Sequence, residues 1–417
     1  MRLGARIRAE LSLNLPLVIM FTSPTLAGLA GRIDELRASG QGSDLPTVPR
    51  APRDAPVPLS FAQARFWFVH RLASGTNVLN LHAALPVSGP LDLAAFRETI
   101  RDVVRRHESL RTTFAEAADG QAVQVVAPRC AEELLLVEDL SALDEEERHE
   151  RISSLSREQA AAPFDLGRAP LFRLRLLRCG ENEHTLLVTT THLVFDGWSL
   201  QVLTREVAEI YDARRAGRPP NLPDLPVQYP DYSVWQQQYL RGDTMDRLLG
   251  YWRKQLADVP VLALPADHPR QFGAGGGKRW HRFHLPPALI ARASRLCSEE
   301  GATNYMLLLA AFQLLLQRYC ESDDVPVATP VANRRQPETH GMIGLFVNTI
   351  VMRGDLSGNP TFRELLARVR QTALDAFAHQ ELPFERLVEE LHPERDITRH
   401  PLAQVLFNVL PRNDTHR

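Results

Sequence analysis

The run Thr185–Val194, TLLVTTTHLV, constrains this chain more than any other stretch. It is β-branched and apolar, carries no helical period, and is followed at once by Asp196-Gly197, so it reads as a central strand ending at a turn. Ser199–Tyr211 then becomes helical, which puts His192 at the strand end. Residues 60–73 and 92–107 have helical spacing, and in the second of these Leu93, Phe96, Ile100, Val103 and Val104 form one apolar stripe. Residues 122–127 and 171–177 alternate as half-buried strands do, and the acidic DLSALDEEERHER segment suits the N-terminal end of a solvated helix. The second half repeats the mixture, with a strongly apolar helix at 303–319, strand signals at 325–331 and 345–353, and a helix at 361–377. Alternating α and β over two halves predicts two α/β layers.

At 417 residues the chain is too long for one core, and at roughly 100–200 residues per domain it holds two or three. A boundary is visible at residues 38–58, rich in Gly, Pro, Ser and Asp with no apolar period, an extended linker. Ahead of it, Leu3, Ile7, Leu11 and Leu13 have helical spacing, and Ser23-Pro24 starts a second helix running to about Leu36. Arginines followed by the apolar run Leu15–Phe21 imitate a signal peptide, but the run is short and nothing approaches the roughly 20 residues of a membrane span. A formal net charge of -2 supplies no global field for nucleic acid or an anionic membrane. Four scattered cysteines, with no CxxC pair and no zinc-ligand spacing, suit a reduced cytoplasmic protein. The glycines of 272–278 do not form a phosphate-binding loop, because neither GxxxxGK[ST] nor GxGxxG is present.

Histidine can exchange a proton near neutral pH, and of the 14 in the chain His192 stands apart. An apolar strand delivers it to a sheet end, and Gly197 in the following turn permits close backbone approach. The HxxxD spacing alone does not separate a catalytic histidine from a satisfied core one.

The wider pattern does. The stretch His192–Ser199, HxxxDGWS, resembles the active-site motif of the condensation domains of nonribosomal peptide synthetases, in the chloramphenicol-acetyltransferase-like acyltransferase superfamily. It is accompanied, in that family's order, by SFAQARFW from Ser60, RHESLRTTF from Arg106, YPDYSVWQ from Tyr229, IGLFVNT from Ile343, HQELPFE from His379 and RDITRHPL from Arg395. The first forty residues resemble the last helices of a peptidyl carrier protein.

The resemblance implies an α/β (α+β) fold of two lobes in a V with a tunnel between them. The expected divisions are carrier helices at 1–37, a linker at 38–57 and a condensation domain at 58–417, its lobes meeting near 230. The serine that bears phosphopantetheine is expected upstream of Met1, and further elements beyond Arg417. Such a domain joins a carrier-bound donor acyl thioester to the amine of a carrier-bound aminoacyl group. His192 is then the general base or the group that orients the amine, and Gly197 offers its backbone N–H near the reacting centre. Asp196 is expected to be structural, paired with Arg106 or Arg111, with Trp198 and Ser199 beside it. Asn348 either supports the interface between halves or is a strand-end turn residue.

One position departs from the pattern: the motif's first histidine is Thr191, which still donates and accepts hydrogen bonds. A cyclising variant would carry Asp there, and an epimerising variant has its tryptophan after the serine, so both differences point to condensation. The opening motif is closer to domains that take an L-configured or polyketide donor. The implied partners are upstream donor and downstream acceptor carrier proteins and an adjoining adenylation domain, with phosphopantetheine presented by the carriers, no metal and no nucleic acid. Two other classes stay open, a stand-alone acyltransferase of the same superfamily and a noncatalytic carrier-docking module.

Overall fold

Apolar spacing and capping residues account for most of the elements. The computed structural model describes residues 25–38, 46–72, 75–128, 134–267, 281–391 and 401–410, together with Ile7, Leu11, Leu13, Leu15, Ile19 and Ser23. The glycine-rich stretch 272–278, most of the segment 2–13 and most of the motif from Arg395 lie outside these residues. Helix α1 (Leu26–Ala38) buries Leu29 and Leu36 in a small cluster with Ile7, Leu13, Leu15 and Ile19.

The chain divides into two units: residues 46–240 with 334–347, and residues 1–45 with 241–333 and 348–417. The first unit runs to Leu240, and the short segment Arg334–Val347 returns to that unit from the second half of the sequence.

The unit of residues 46–240 contains β1 (Val57–Pro58), α2 (Phe61–Leu72), β2 (Asn80–Ser88), α3 (Leu93–Arg106), β3 (Thr112–Glu116), β4 (Ala122–Val126), β5 (Leu135–Asp139), α4 (Glu145–Ala161), β6 (Phe172–Arg178), β7 (Glu183–Thr191), α5 (Gly197–Arg215) and α6 (Tyr229–Tyr239). Its main sheet has the order β2-β7-β6-β5, antiparallel except for the β5–β6 pair, and a smaller sheet runs β1-β4-β3. The central place of β7 explains its sequence. Alternate residues feed opposite layers: Leu186 and Val188 join Leu174 and Leu176 in one core, and Leu187 joins Leu177 and Leu155 of α4 in the other. The threonines remain satisfied inside, Thr190 Oγ1 donating to the Leu171 carbonyl at 2.8 Å and Thr189 bonding His82 and Gln159. Helices α3 and α5 cover the first layer through Phe96, Ile100, Val103, Val202, Leu203 and Ile210. Each starts on an aspartate cap, Asp92 accepting from Ala95 N and Asp196 from Ser199 N.

The other unit contains α7 (Gly242–Gln255), α8 (Pro287–Glu299), α9 (Asn304–Cys320), β8 (Asp324–Val331), β9 (Asn348–Asp355), α10 (Phe362–Ala378) and α11 (Phe384–Leu391). Strands β8 and β9 pair antiparallel from Asp324↔Asp355 to Val331↔Asn348. Residues 405–407 bond to the free side of β8, Ala328 N donating to the Val405 carbonyl and Phe407 N to the Ala328 carbonyl, both at 2.8 Å. The apolar run in α9 is a core helix that buries Met306, Leu309, Ala310 and Leu316. Among the described residues no helix is long and apolar enough to cross a membrane.

Candidate active site around His192

Strand β7 stops at Thr191, paired with Asn80 at the end of β2, and His192–Val194 form a single 3-10 turn before α5. The His192 backbone N–H donates to the Leu79 carbonyl at 2.8 Å, which ties the turn to the neighbouring chain segment. Thr191 is buried, whereas His192 is only partly so. Its Nδ1 is buried and makes no well-formed hydrogen bond among the described residues, with the Phe195 backbone the hydrogen-bonding group that acts on the ring. The Phe66 ring lies flat beside the imidazole, centroids 5.2 Å apart and planes within 2°. Burial lowers the His192 pKa, the Phe195 backbone and the Asp196 charge oppose that, and Arg65 adds to it. The ring is therefore neutral at pH 7 and able to accept a proton.

Asp196 lies under this turn, 2% exposed, and its carboxylate gathers four donors. Ser199 N and Oγ reach Oδ1 at 2.8 and 2.7 Å, Phe346 N reaches Oδ2 at 3.1 Å, and Arg334 Nη2 reaches Oδ1 at 3.0 Å and Oδ2 at 3.2 Å. The Arg334 guanidinium is itself buried, sits 4.0 Å above the Phe346 ring, and donates to the carbonyls of Thr339 and Met342.

The expected partners of Asp196 require correction, since neither Arg106 nor Arg111 reaches it. Arg106, in the last turn of α3, is drawn to Glu206 at 3.2 Å, where His107 also donates to the same carboxylate across 2.7 Å. His107 Nδ1 accepts from Ile343 N, which leaves the proton on Nε2. Arg111 donates to the Ala127 carbonyl and approaches Glu108 at 3.8 Å. Sequence reasoning missed Arg334, which stands three residues beyond the end of β8 with no motif spacing to link it to Asp196.

The remaining predicted residues separate into two places. Trp198 Nε1 donates to the His340 carbonyl at 3.0 Å, and Ser199 Oγ accepts from Gly344 N at 3.0 Å, so both anchor the returning segment 334–347. Gly197 is exposed at the start of α5, and a Cβ added there would meet nothing within 4 Å. Asn348 belongs to the other unit and opens β9. Its amide donates to the carbonyls of Gln380 and Leu382 at 2.8 and 2.7 Å and accepts from Phe384 N at 3.1 Å, a clamp on the loop between α10 and α11.

Gln63 holds the His192 turn directly, and a buried polar network extends behind it. Gln63 Nε2 donates to the Leu193 carbonyl at 3.0 Å and to Gln124 Oε1 at 3.2 Å, and Ser60 Oγ bonds Tyr229 Oη at 2.7 Å. Among the described residues no group of three or more His, Cys, Asp or Glu is gathered to hold a metal.

The family model described as Condensation domain matches residues 54–414. This chain belongs to the condensation-domain family. The condensation domain is 43% identical over 97% of its length to a linear gramicidin synthase polypeptide of Brevibacillus parabrevis, but spans only 8% of that protein. Among solved structures, the X-domain from teicoplanin biosynthesis is 30% identical with a TM-score of 0.73, covering 87% of this chain and 79% of that one; the X-domain has also been solved in complex with OxyB. The first condensation domain of the calcium-dependent antibiotic synthetase, in complex with a substrate analogue, shares the fold at 23% identity and a TM-score of 0.71, covering 86% and 82% of the two chains. The mixed α/β class expected from the sequence is the one these structures share.

Proposed function

We propose that this condensation domain forms an amide bond between a donor acyl thioester and the amine of an acceptor aminoacyl thioester, each carried on the phosphopantetheine arm of a partner carrier protein. The amine nitrogen attacks the thioester carbonyl, the new C–N bond replaces the C–S bond, and the donor carrier leaves as a thiol after the ammonium proton is lost. The observation that carries this reading is a neutral, partly exposed His192 on a turn held by the buried Asp196–Arg334 pair. A neutral imidazole accepts the amine's hydrogen bond or its proton, and the rigid turn fixes where that happens.

The test uses two carrier proteins loaded with donor and acceptor thioesters, and follows amide product with the wild-type chain and with His192→Ala. Loss of product in a variant that melts normally supports the assignment, and equal turnover removes it.

Two observations favour a second reading, a docking module without chemistry. Thr191 replaces the motif's first histidine, and the X-domain likeness is to a protein solved in complex with OxyB. Under that reading the chain binds loaded carriers but His192→Ala changes no rate.

A further inference from the structure

Gln63 and Phe66 lie one turn apart on α2, and both close on the His192 turn. The helix start is held at its own end as well, where Ser60 N donates to Gln63 Oε1 and Gln63 N donates to Ser60 Oγ, each at 3.1 Å. Gln63 thus grips the main chain at Leu193 while Phe66 meets the side chain of the residue before it.

The plane of a histidine ring is ordinarily fixed by a hydrogen bond from its second nitrogen. Here the Phe195 backbone is the hydrogen-bonding group that acts on the ring, Nδ1 makes no well-formed bond among the described residues, and the torsion that turns the ring is intrinsically broad. A flat contact at 5.2 Å with planes 2° apart lies against the imidazole on the Phe66 side. We propose that Phe66 is a positioning residue for His192, its flat stack against the imidazole setting the plane of the ring. Turning the imidazole out of this plane breaks the stack, and it also swings Nε2 away from the direction in which it meets an amine. The inference rests on the catalytic reading of His192 above.

The experiment compares wild type, Phe66→Leu, Phe66→Tyr and His192→Gln, with Phe66→Met as the substitute should the leucine variant fail to fold. Amide formation from carrier-loaded substrates gives kcat and KM, and the His192 13Cε1 resonance, assigned by its loss in His192→Gln, gives the ring's titration midpoint. In Phe66→Leu, kcat is expected to fall about tenfold or more at unchanged KM. The His192 midpoint should rise toward that of a solvated imidazole, and Phe66→Tyr should restore both. Unchanged kcat in folded Phe66→Leu overturns the proposal, as does a tyrosine variant no better than leucine. If His192→Gln turns over like wild type, the catalytic reading itself falls; if it is inactive while Phe66→Leu is normal, only the role of Phe66 falls.

Discussion

Asp196 and Arg334, 138 residues apart in the chain, meet at 3.0 Å with side chains 2% and 1% exposed. A buried pair is a weak source of net stability, but removing one partner strands the other charge, at a cost of roughly 3–5 kcal/mol. Asp196→Ala and Arg334→Met should each lose about that much in denaturant melts, and the double variant should recover part of it. A soluble Asp196→Ala protein with an unchanged melt and no turnover would contradict the structural role.

Gly344 and Gly197 should respond oppositely to alanine. A Cβ on Gly344 would fall 2.1 Å from the ring of the fully buried Tyr229, whose hydroxyl donates to the Leu345 carbonyl at 2.6 Å. Gly344→Ala is expected to destabilise by about 1–3 kcal/mol or more. Gly197→Ala meets no neighbour, so its melting temperature should hold while its turnover drops if substrate passes that face. Paired thermal melts and amide-formation assays read both effects.

Acidification should weaken the fold before it reaches the carboxylate range. Burial lowers the pKa of His82, His107 and His192 from 6.5, so the unfolded chain takes up these protons first. Their stabilising effect is fully present above pH 6.5 and is lost as pH falls from there through the folded-state values. Glu206, lowered from 4.5 by His107 and Arg106 against its own burial, adds a second loss below that value. The melting temperature should be level between pH 7 and 8 and decline steadily below about 6.5; a flat profile to pH 5 would refute the assignment.

The same sign governs the rate. With the His192 pKa depressed by burial, turnover should stay level from pH 8 down past 6.5 and fall only at lower pH. An acid limb centred above 6.5 would mean that the ring is more solvated than the geometry describes.

Asn348→Ala removes an amide that makes three bonds to the loop at 380–384. The stranded backbone groups should cost about 1–3 kcal/mol, and hydrogen exchange at the Phe384 amide should accelerate.

Much of this was legible in the sequence where one local rule decides the outcome. The β7 run, the stripe of α3 and the helix after Gly197 appear close to where periodicity and caps put them. Strand β2 was not signalled: His82-Ala83-Ala84-Leu85-Pro86 has neither alternation nor β-branched residues, and its pairing with β7 is what makes it a strand. His192 was visible because its motif is contiguous. Arg334 was not, because long-range pairing between a helix-capping aspartate and a distant arginine leaves no spacing to read, and nearer arginines offered themselves first.

The return of Arg334–Val347 to the unit of residues 46–240 matters for anyone recombining condensation domains. A hybrid spliced once near residue 240 inherits His192 and Asp196 from one parent and the arginine that neutralises Asp196 from the other. Inheritance at this site is therefore discontinuous, and an exchange that keeps the buried pair intact must carry both stretches as a single heritable block.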